Sequence, residues 1–424
     1  MKDKYDTPAD YIFSLQRMGI KLGLDKIRDF LEYFDDPHKD FDSVLIGGTN
    51  GKGSVSTITS NILQEAGYKT GLYTSPHLTF FEERIKVNGE NICQDSLWEL
   101  IDEVRPILEK IEEEDVEKRP SFFEVLTTLA FMHFSNQDID IAVLEVGMGG
   151  RLDATNVVDN IASVVTNIGM DHSKHLGDTK EKIAYEKAGI IKESNYFVTE
   201  ENDENITQYF RDVCAERNSI FNHALEREHE ILETPLRLKL PEYGIIEVPG
   251  VARWQAENAL TAITLAEGLA DRGYDISRQE IIDALKKTSL PGRMDIVSTE
   301  PRIMMDCAHN LNGIKALMEG LKTVDYDRLL LVMGVLGDKD YKSMADVIDP
   351  KTDRLYTGEP VSERKLDSDV LADAFSDKIP KSTHGKGIDA LNAAIEDYKE
   401  GDLILVTGST YLLGDIRKEG KYGL

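Results

Sequence analysis

The segment Gly47-Gly48-Thr49-Asn50-Gly51-Lys52-Gly53-Ser54 sets glycines, a lysine and a hydroxyl at a spacing suited to phosphate. Glycines let backbone N–H groups close on phosphate oxygens, a following helix N-terminus adds partial positive charge, Lys52 neutralises, and Ser54 can reach Mg²⁺. The flanks agree: the apolar run Val44-Leu45-Ile46 precedes the loop, and a helical run over 55–66 follows, with Gly67 as its C-cap. The loop departs from the common P-loop pattern, being one residue short from Gly47 to Lys52, with Gly53 between the lysine and the hydroxyl. A glycine turn between strand and helix would account for a glycine pair alone, but not for Lys and Ser in register with it. The loop by itself does not separate a kinase, a motor ATPase and a ligase, because all grip phosphates in this way.

The elements that must position this loop alternate. Runs at 43–46, 70–74, 139–146, 162–167 and 196–199 read as buried strands with helical patterns between them, which predicts a parallel α/β sheet. A second set at 303–306, 328–333, 353–356 and 402–407 predicts a second α/β unit. Helical patterns at 254–272 and 276–287 lead to the turn dipeptide Pro291-Gly292, so the boundary falls near it, giving domains 1–289 and 290–424. The acidic stretch 109–117 reads as a solvated helix face or loop.

Composition bounds the partners. A chain of 424 residues, 41% hydrophobic, can bury a large core. Its formal charge of −28 would repel a nucleic-acid backbone, and local cations must offset that field if anions are the substrates. No apolar run approaches a membrane span and no secretory signal is visible, so the expected address is the cytoplasm. Cys93, Cys214 and Cys307 are expected to be reduced thiols.

The loop and several further segments together resemble the Mur ligase superfamily, in particular its folylpolyglutamate synthase and dihydrofolate synthase branch. The segments are YTSPHL at 73–78 with Glu83-Arg84-Ile85, LEVGMGGRLDATN at 144–156, TNIGMDH at 166–172, and EKAGIIK at 186–192. Pro291-Gly292-Arg293, DCAHN at 306–310, Asp338-Lys339-Asp340 and GSTYLL at 408–413 extend the resemblance to the last strand. Three departures occur: Cys307 stands where a small residue is usual, Leu311 replaces a common proline, and Trp254 stands in place of a histidine.

The resemblance implies a central P-loop ATPase domain of Mur ligase type, with a helical pterin-binding region, and a smaller Rossmann-like C-terminal glutamate ligase domain, with the active site between them. It implies ATP on Thr49, Asn50, Gly51, Lys52, Gly53, Ser54, Asn258, Arg293 and Asp306, with His309 beside the phosphates. Two Mg²⁺ ions are implied on Ser54, Ser75, Glu145 and His172; hydroxyls and a carboxylate at strand ends suit that ion. Lys187 is implied to react with CO₂ and become a carbamate. Leu22, Gly23 and Leu24, Ser121, Phe122, Phe123 and Glu124, and Leu152, Asp153 and Ala154 fall at pterin-contacting positions; plainer readings are a helix-terminal turn, a buried aromatic pair and a strand-end loop. The activity implied is an amide ligase that adds L-glutamate to a pterin acid through an acyl phosphate, acting as a monomer in one-carbon metabolism. Alternatives are a P-loop phosphotransferase or ATPase, a nucleotide-binding regulatory protein, and a Mur-like ligase for another cofactor acid.

Overall fold

A computed structural model describes residues 5–15, 23–170 and 176–419. The chain divides into two compact units, one of Met1–Ser75, Phe81–His229 and Glu257–Thr288, the other of Pro76–Phe80, Glu230–Ala256 and Ser289–Leu424.

The strands of the first unit are β1 Asp42–Gly47, β2 Thr70–Tyr73, β3 Ile85–Val87, β4 Glu90–Asn91, β5 Ile141–Glu145, β6 Ala162–Val165, β7 Tyr196–Thr199 and β8 Ile220–His223. They form one mixed sheet in the order β4-β3-β2-β5-β1-β6-β7-β8. Only the β2–β3 and β3–β4 pairs are antiparallel. β5, β6 and β7 are buried throughout, as parallel strands covered on both faces must be. β1 sits between β5 and β6, so the loops after three neighbouring strands leave the sheet side by side. That juxtaposition builds the site.

The phosphate-loop helix runs Lys52–Glu65, beginning three residues before the position that the sequence pattern predicts. Gly51 takes the N-cap in the left-handed region, φ +86°, so Lys52, Gly53 and Ser54 form the first turn. The free N–H groups of that turn are what a phosphate would meet. Gly67, φ +89°, follows the helix end as expected.

In the second unit β9 Glu230–Glu233, β10 Leu236–Leu240 and β11 Gly244–Glu247 make a small antiparallel sheet. β12 Asp295–Thr299, β13 Arg302–Met305, β14 Leu329–Met333, β15 Arg354–Gly358, β16 Lys381–His384 and β17 Leu403–Thr407 form the other, in the order β12-β13-β17-β14-β15-β16. All its pairs are parallel except β12–β13. The acidic 109–117 stretch is the exposed end of the helix Gln94–Glu114 and the turn after it, as the charge run implied. No helix among the described residues is long and apolar enough to cross a membrane.

Candidate active site

The phosphate loop is pinned from behind by the segment that follows β6. Thr49 N–H donates to the Asn167 carbonyl at 2.8 Å, Asn50 N–H to Asn167 Oδ1 at 3.1 Å, and Thr166 Oγ1 to the Asn50 carbonyl at 2.6 Å. Thr49 Oγ1 accepts the Gly169 N–H at 2.8 Å. The loop can lie this close only because it carries glycine. A Cβ at Gly48 would stand 1.8 Å from Thr166 Oγ1, and one at Gly51 would stand 2.3 Å from Asn258 Oδ1. Asn258 therefore meets the loop, on the helix Arg253–Ala270. Thr166 and Asn167 carry no site assignment in the sequence reading, although both lie in the TNIGMDH segment. Their signal is the position after β6, which becomes informative once β6 is known to neighbour β1.

Two lysines converge on one carbonyl. Lys52 Nζ donates to Gly48 O and Thr49 O, each at 3.2 Å, and Lys187 Nζ donates to Gly48 O at 2.7 Å. Lys187 is only 5% exposed. Both line a small pocket, about 10 Å³, with Gly48, Thr49, Gly147, Gly149 and Leu176.

The candidate metal donors stand at the same helix start. Glu145, buried at the end of β5, accepts the Ser75 backbone N–H at 3.0 Å through Oε2, and a Cβ at Gly53 would lie 3.6 Å from that oxygen. The Ser54 hydroxyl is fully buried and has no hydrogen-bond partner among the described residues. An orphaned hydroxyl and a buried carboxylate fit a hard cation that keeps several waters. His172 lies outside the described residues. Among those described, no three His, Cys, Asp or Glu side chains gather as a metal site.

The residues expected on the pterin side divide. Ser121 and Glu124 form a reciprocal capping box for the helix Phe122–Asn136, with Ser121 N–H to Glu124 Oε2 at 2.6 Å. Burial pushes the Glu124 carboxyl up, and the bonds to Ser121 oppose it. Asp153 caps the turn Ala154–Val157 and accepts the Met148 N–H at 2.9 Å; its proton affinity is also raised by burial, against its bonds to Thr155 and Met148. Phe122 stacks on Phe13 at 5.6 Å, and the Phe123 ring lies against Gly147, where a Cβ would come within 2.5 Å. Phe123 thus borders the glycine stretch that lines the pocket. Leu152 is half-buried and Ala154 buried; Gly23 and Leu24 precede the helix Asp25–Glu32, and Leu22 lies outside the described residues.

In the second unit Arg293, Asp306 and His309 share one turn system. Asp306 follows β13 and accepts Met294 N–H at 2.9 Å and Ala308 N–H at 2.8 Å. Burial pushes its carboxyl up to about 6, against the pull of the Arg293 guanidinium. Gly292, φ +69°, turns the chain so that its carbonyl accepts the Cys307 N–H at 2.8 Å, and Arg293 O accepts Gln255 Nε2 at 2.8 Å. His309 Nδ1 lies 2.9 Å from the Cys307 carbonyl.

A mixed ATPase sheet with this loop and a separate parallel α/β unit define a Mur-type ligase chain: residues 46–266 match the Mur ligase middle domain, and residues 292–410 the Mur ligase glutamate ligase domain. Within that class, the chain belongs to the folylpolyglutamate synthase and dihydrofolate synthase family. It is 32% identical to the dihydrofolate synthase/folylpolyglutamate synthase of Bacillus subtilis, over 98% of this chain and 99% of that one. It is 35% identical, over 98% of its length, to a "probable bifunctional folylpolyglutamate synthase/dihydropteroate synthase" of Halobacterium salinarum, of which it covers 51%. The chain thus spans about half the length of that haloarchaeal relative. A bifunctional folylpolyglutamate synthase/dihydrofolate synthase solved with Mn, AMPPNP and L-glutamate bound superposes with a TM-score of 0.84 at 27% identity, covering 97% of this chain and 98% of that one.

Proposed function

We propose that the chain is an ATP- and Mg²⁺-dependent ligase that joins L-glutamate to a pterin-bearing carboxylate, dihydropteroate, a folate or both. The observation that carries this reading is the conjunction of a glycine phosphate loop, two lysines on its Gly48 carbonyl, and the Ser54 and Glu145 donors at its helix start. The names of the relatives and the glutamate, nucleotide and metal of the homologous complex support the substrate assignment.

A carboxylate is a poor electrophile, so the γ-phosphoryl group of ATP passes to a carboxylate oxygen, and the glutamate amine displaces phosphate from the acyl phosphate. The products are the amide, ADP and inorganic phosphate, with one proton released from the amine. Here the first-turn N–H groups of Lys52–Glu65 bind phosphate oxygens, and the Lys52 ammonium swings from the loop carbonyls to the transferring group. Ser54, Ser75 and Glu145, with His172, would hold Mg²⁺, which supplies neutralisation of phosphate charge when bound. Phe123 and the 152–154 turn are assigned to the pterin side. Arg293, Asp306 and His309 are assigned to the nucleotide, with Arg293 supplying a fixed positive charge.

The test follows the carboxylate oxygen. With an ¹⁸O-labelled pterin acid, glutamate, ATP and Mg²⁺, one label per amide formed is expected in inorganic phosphate. Unlabelled phosphate released alongside amide would rule out the acyl phosphate.

A further inference from the structure

Behind the phosphate loop lies a buried carboxylate that the proposed reaction does not use. Glu200, 7% exposed, follows β7. Its Oε2 accepts the Thr261 hydroxyl at 2.7 Å, and its Oε1 lies 3.5 Å from Asn167 Nδ2. Asn167 is the residue that pins the loop, with Oδ1 on Asn50 N–H and Nδ2 donating to Asn50 O at 3.2 Å. Because Asn50 N–H needs an acceptor, the amide oxygen must face it, and the NH₂ end must face Glu200. Glu200 Oε1 must then remain an acceptor, so a proton on this residue belongs on Oε2. Thr261 can receive it, because its own hydroxyl has a second acceptor, the Glu257 carbonyl at 3.1 Å. The neutral acid therefore keeps every hydrogen bond that the carboxylate makes.

We propose that Glu200 is a positioning residue for nucleotide binding that acts as the neutral acid, holding Asn167 and through it Asn50 without setting a negative charge behind the loop that receives the phosphates. Thr261 lies one helical turn beyond Asn258, which touches Gly51, so one helix supports both the loop and its anchor. The charged groups facing Glu200 are consistent with this state. Burial pushes its pKa up to about 7; the Thr261 bond opposes the shift, Glu257 adds to it, Asn167 opposes, and Glu201 adds. The loop's own cation, Lys52, is held at the Gly48 carbonyl, which also accepts the Lys187 side chain from the helix Lys180–Ala188. Phosphates arriving on the loop disfavour a carboxylate behind it, so binding raises the proton affinity of Glu200 further. The linkage has one sign: nucleotide affinity is full below pH 7 and falls as pH rises through 7 and above.

This inference rests on the proposed function only as far as nucleotide binding, so the test reads ADP affinity rather than ligation. ADP binding is measured calorimetrically from pH 6 to 8.5 for the wild type, Glu200→Gln and Glu200→Ala. Gln keeps both hydrogen bonds with no charge, and comparing variants at each pH cancels the titration of ADP itself. The expected result is equal affinity of wild type and Glu200→Gln at pH 6, with Glu200→Gln tighter by about three- to tenfold at pH 8.5. Proton uptake on binding near pH 7, read from buffers of different ionisation enthalpy, is expected in the wild type to exceed that in Glu200→Gln. Glu200→Ala, which releases Asn167, should bind ADP more weakly at every pH; if it does not fold, the wild-type and Gln profiles still decide. Parallel profiles for these two, or an Ala variant that melts earlier yet binds ADP as the wild type does, would show a merely structural role and overturn the proposal. If ADP binds with the expected profiles but glutamate-dependent turnover is absent, the ligase reading fails and this one stands. If the wild type binds no ADP, both fall.

Discussion

Lys52 and Glu145 divide the work of charge at the loop: the ammonium lies over the carbonyls of Gly48 and Thr49, and the carboxylate stands beside Gly53 at the helix start. Removing either should abolish turnover without unfolding the chain. Lys52→Ala and Glu145→Ala are each expected to retain less than about a tenth of the wild-type rate, at least ~1.4 kcal/mol of barrier, with unchanged circular dichroism. A Glu145→Ala enzyme that keeps more would remove this residue from the metal site. Lys187 is buried with Nζ on the Gly48 carbonyl, at the position where the family resemblance implies a carbamate. We expect ¹³C-bicarbonate to give a carbamate signal by NMR near neutral pH, and Lys187→Ala to be inactive but partly rescued by small carboxylic acids. No signal together with near-normal activity of Lys187→Ala would make it an ordinary buried lysine. The loop residues are legible in sequence because glycine, lysine and serine in this register suit a phosphate and little else. Asn167, Glu200 and Thr261 are not, because their work depends on which strands and helices lie side by side.

At the scale of elements, the turn between β1 and the helix Lys52–Glu65 depends on one backbone conformation. Gly51→Ala forces a left-handed residue, about 1–2 kcal/mol, and drives its Cβ against Asn258. Gly67→Ala imposes the same strain at φ +89° with no atom within 4 Å of the new carbon. Both variants should melt earlier; only Gly51→Ala should lose nucleotide affinity, by about tenfold or more. Equal ADP affinity in the two would separate the loop conformation from binding. The strands beside the loop can be read from sequence because strands buried on both faces form unbroken apolar runs. β9–β11 cannot: Leu236, Leu238 and Leu240 are buried while Arg237 is half-buried and Lys239 exposed, an alternation too diluted by charge to stand out. β4, two residues long, carries no period at all.

For the whole molecule, the excess of 77 acidic over 49 basic residues sets a repulsive field against ATP and pterin acids alike. On the proposed function, binding of such anions would depend on Lys52 at the loop and Arg293 on the Pro291-Gly292-Arg293 turn, and turnover should depend on all the reactants being present at once. The most direct measurement is phosphate release with ATP and Mg²⁺, adding glutamate and a panel of pterin acids separately and together. Release is expected only when glutamate and dihydropteroate or a folate are both present, with one phosphate per amide formed, and it should stop when Mg²⁺ is chelated. ATP hydrolysis at the full rate without glutamate would contradict the ligase account and leave a phosphate-loop ATPase in its place.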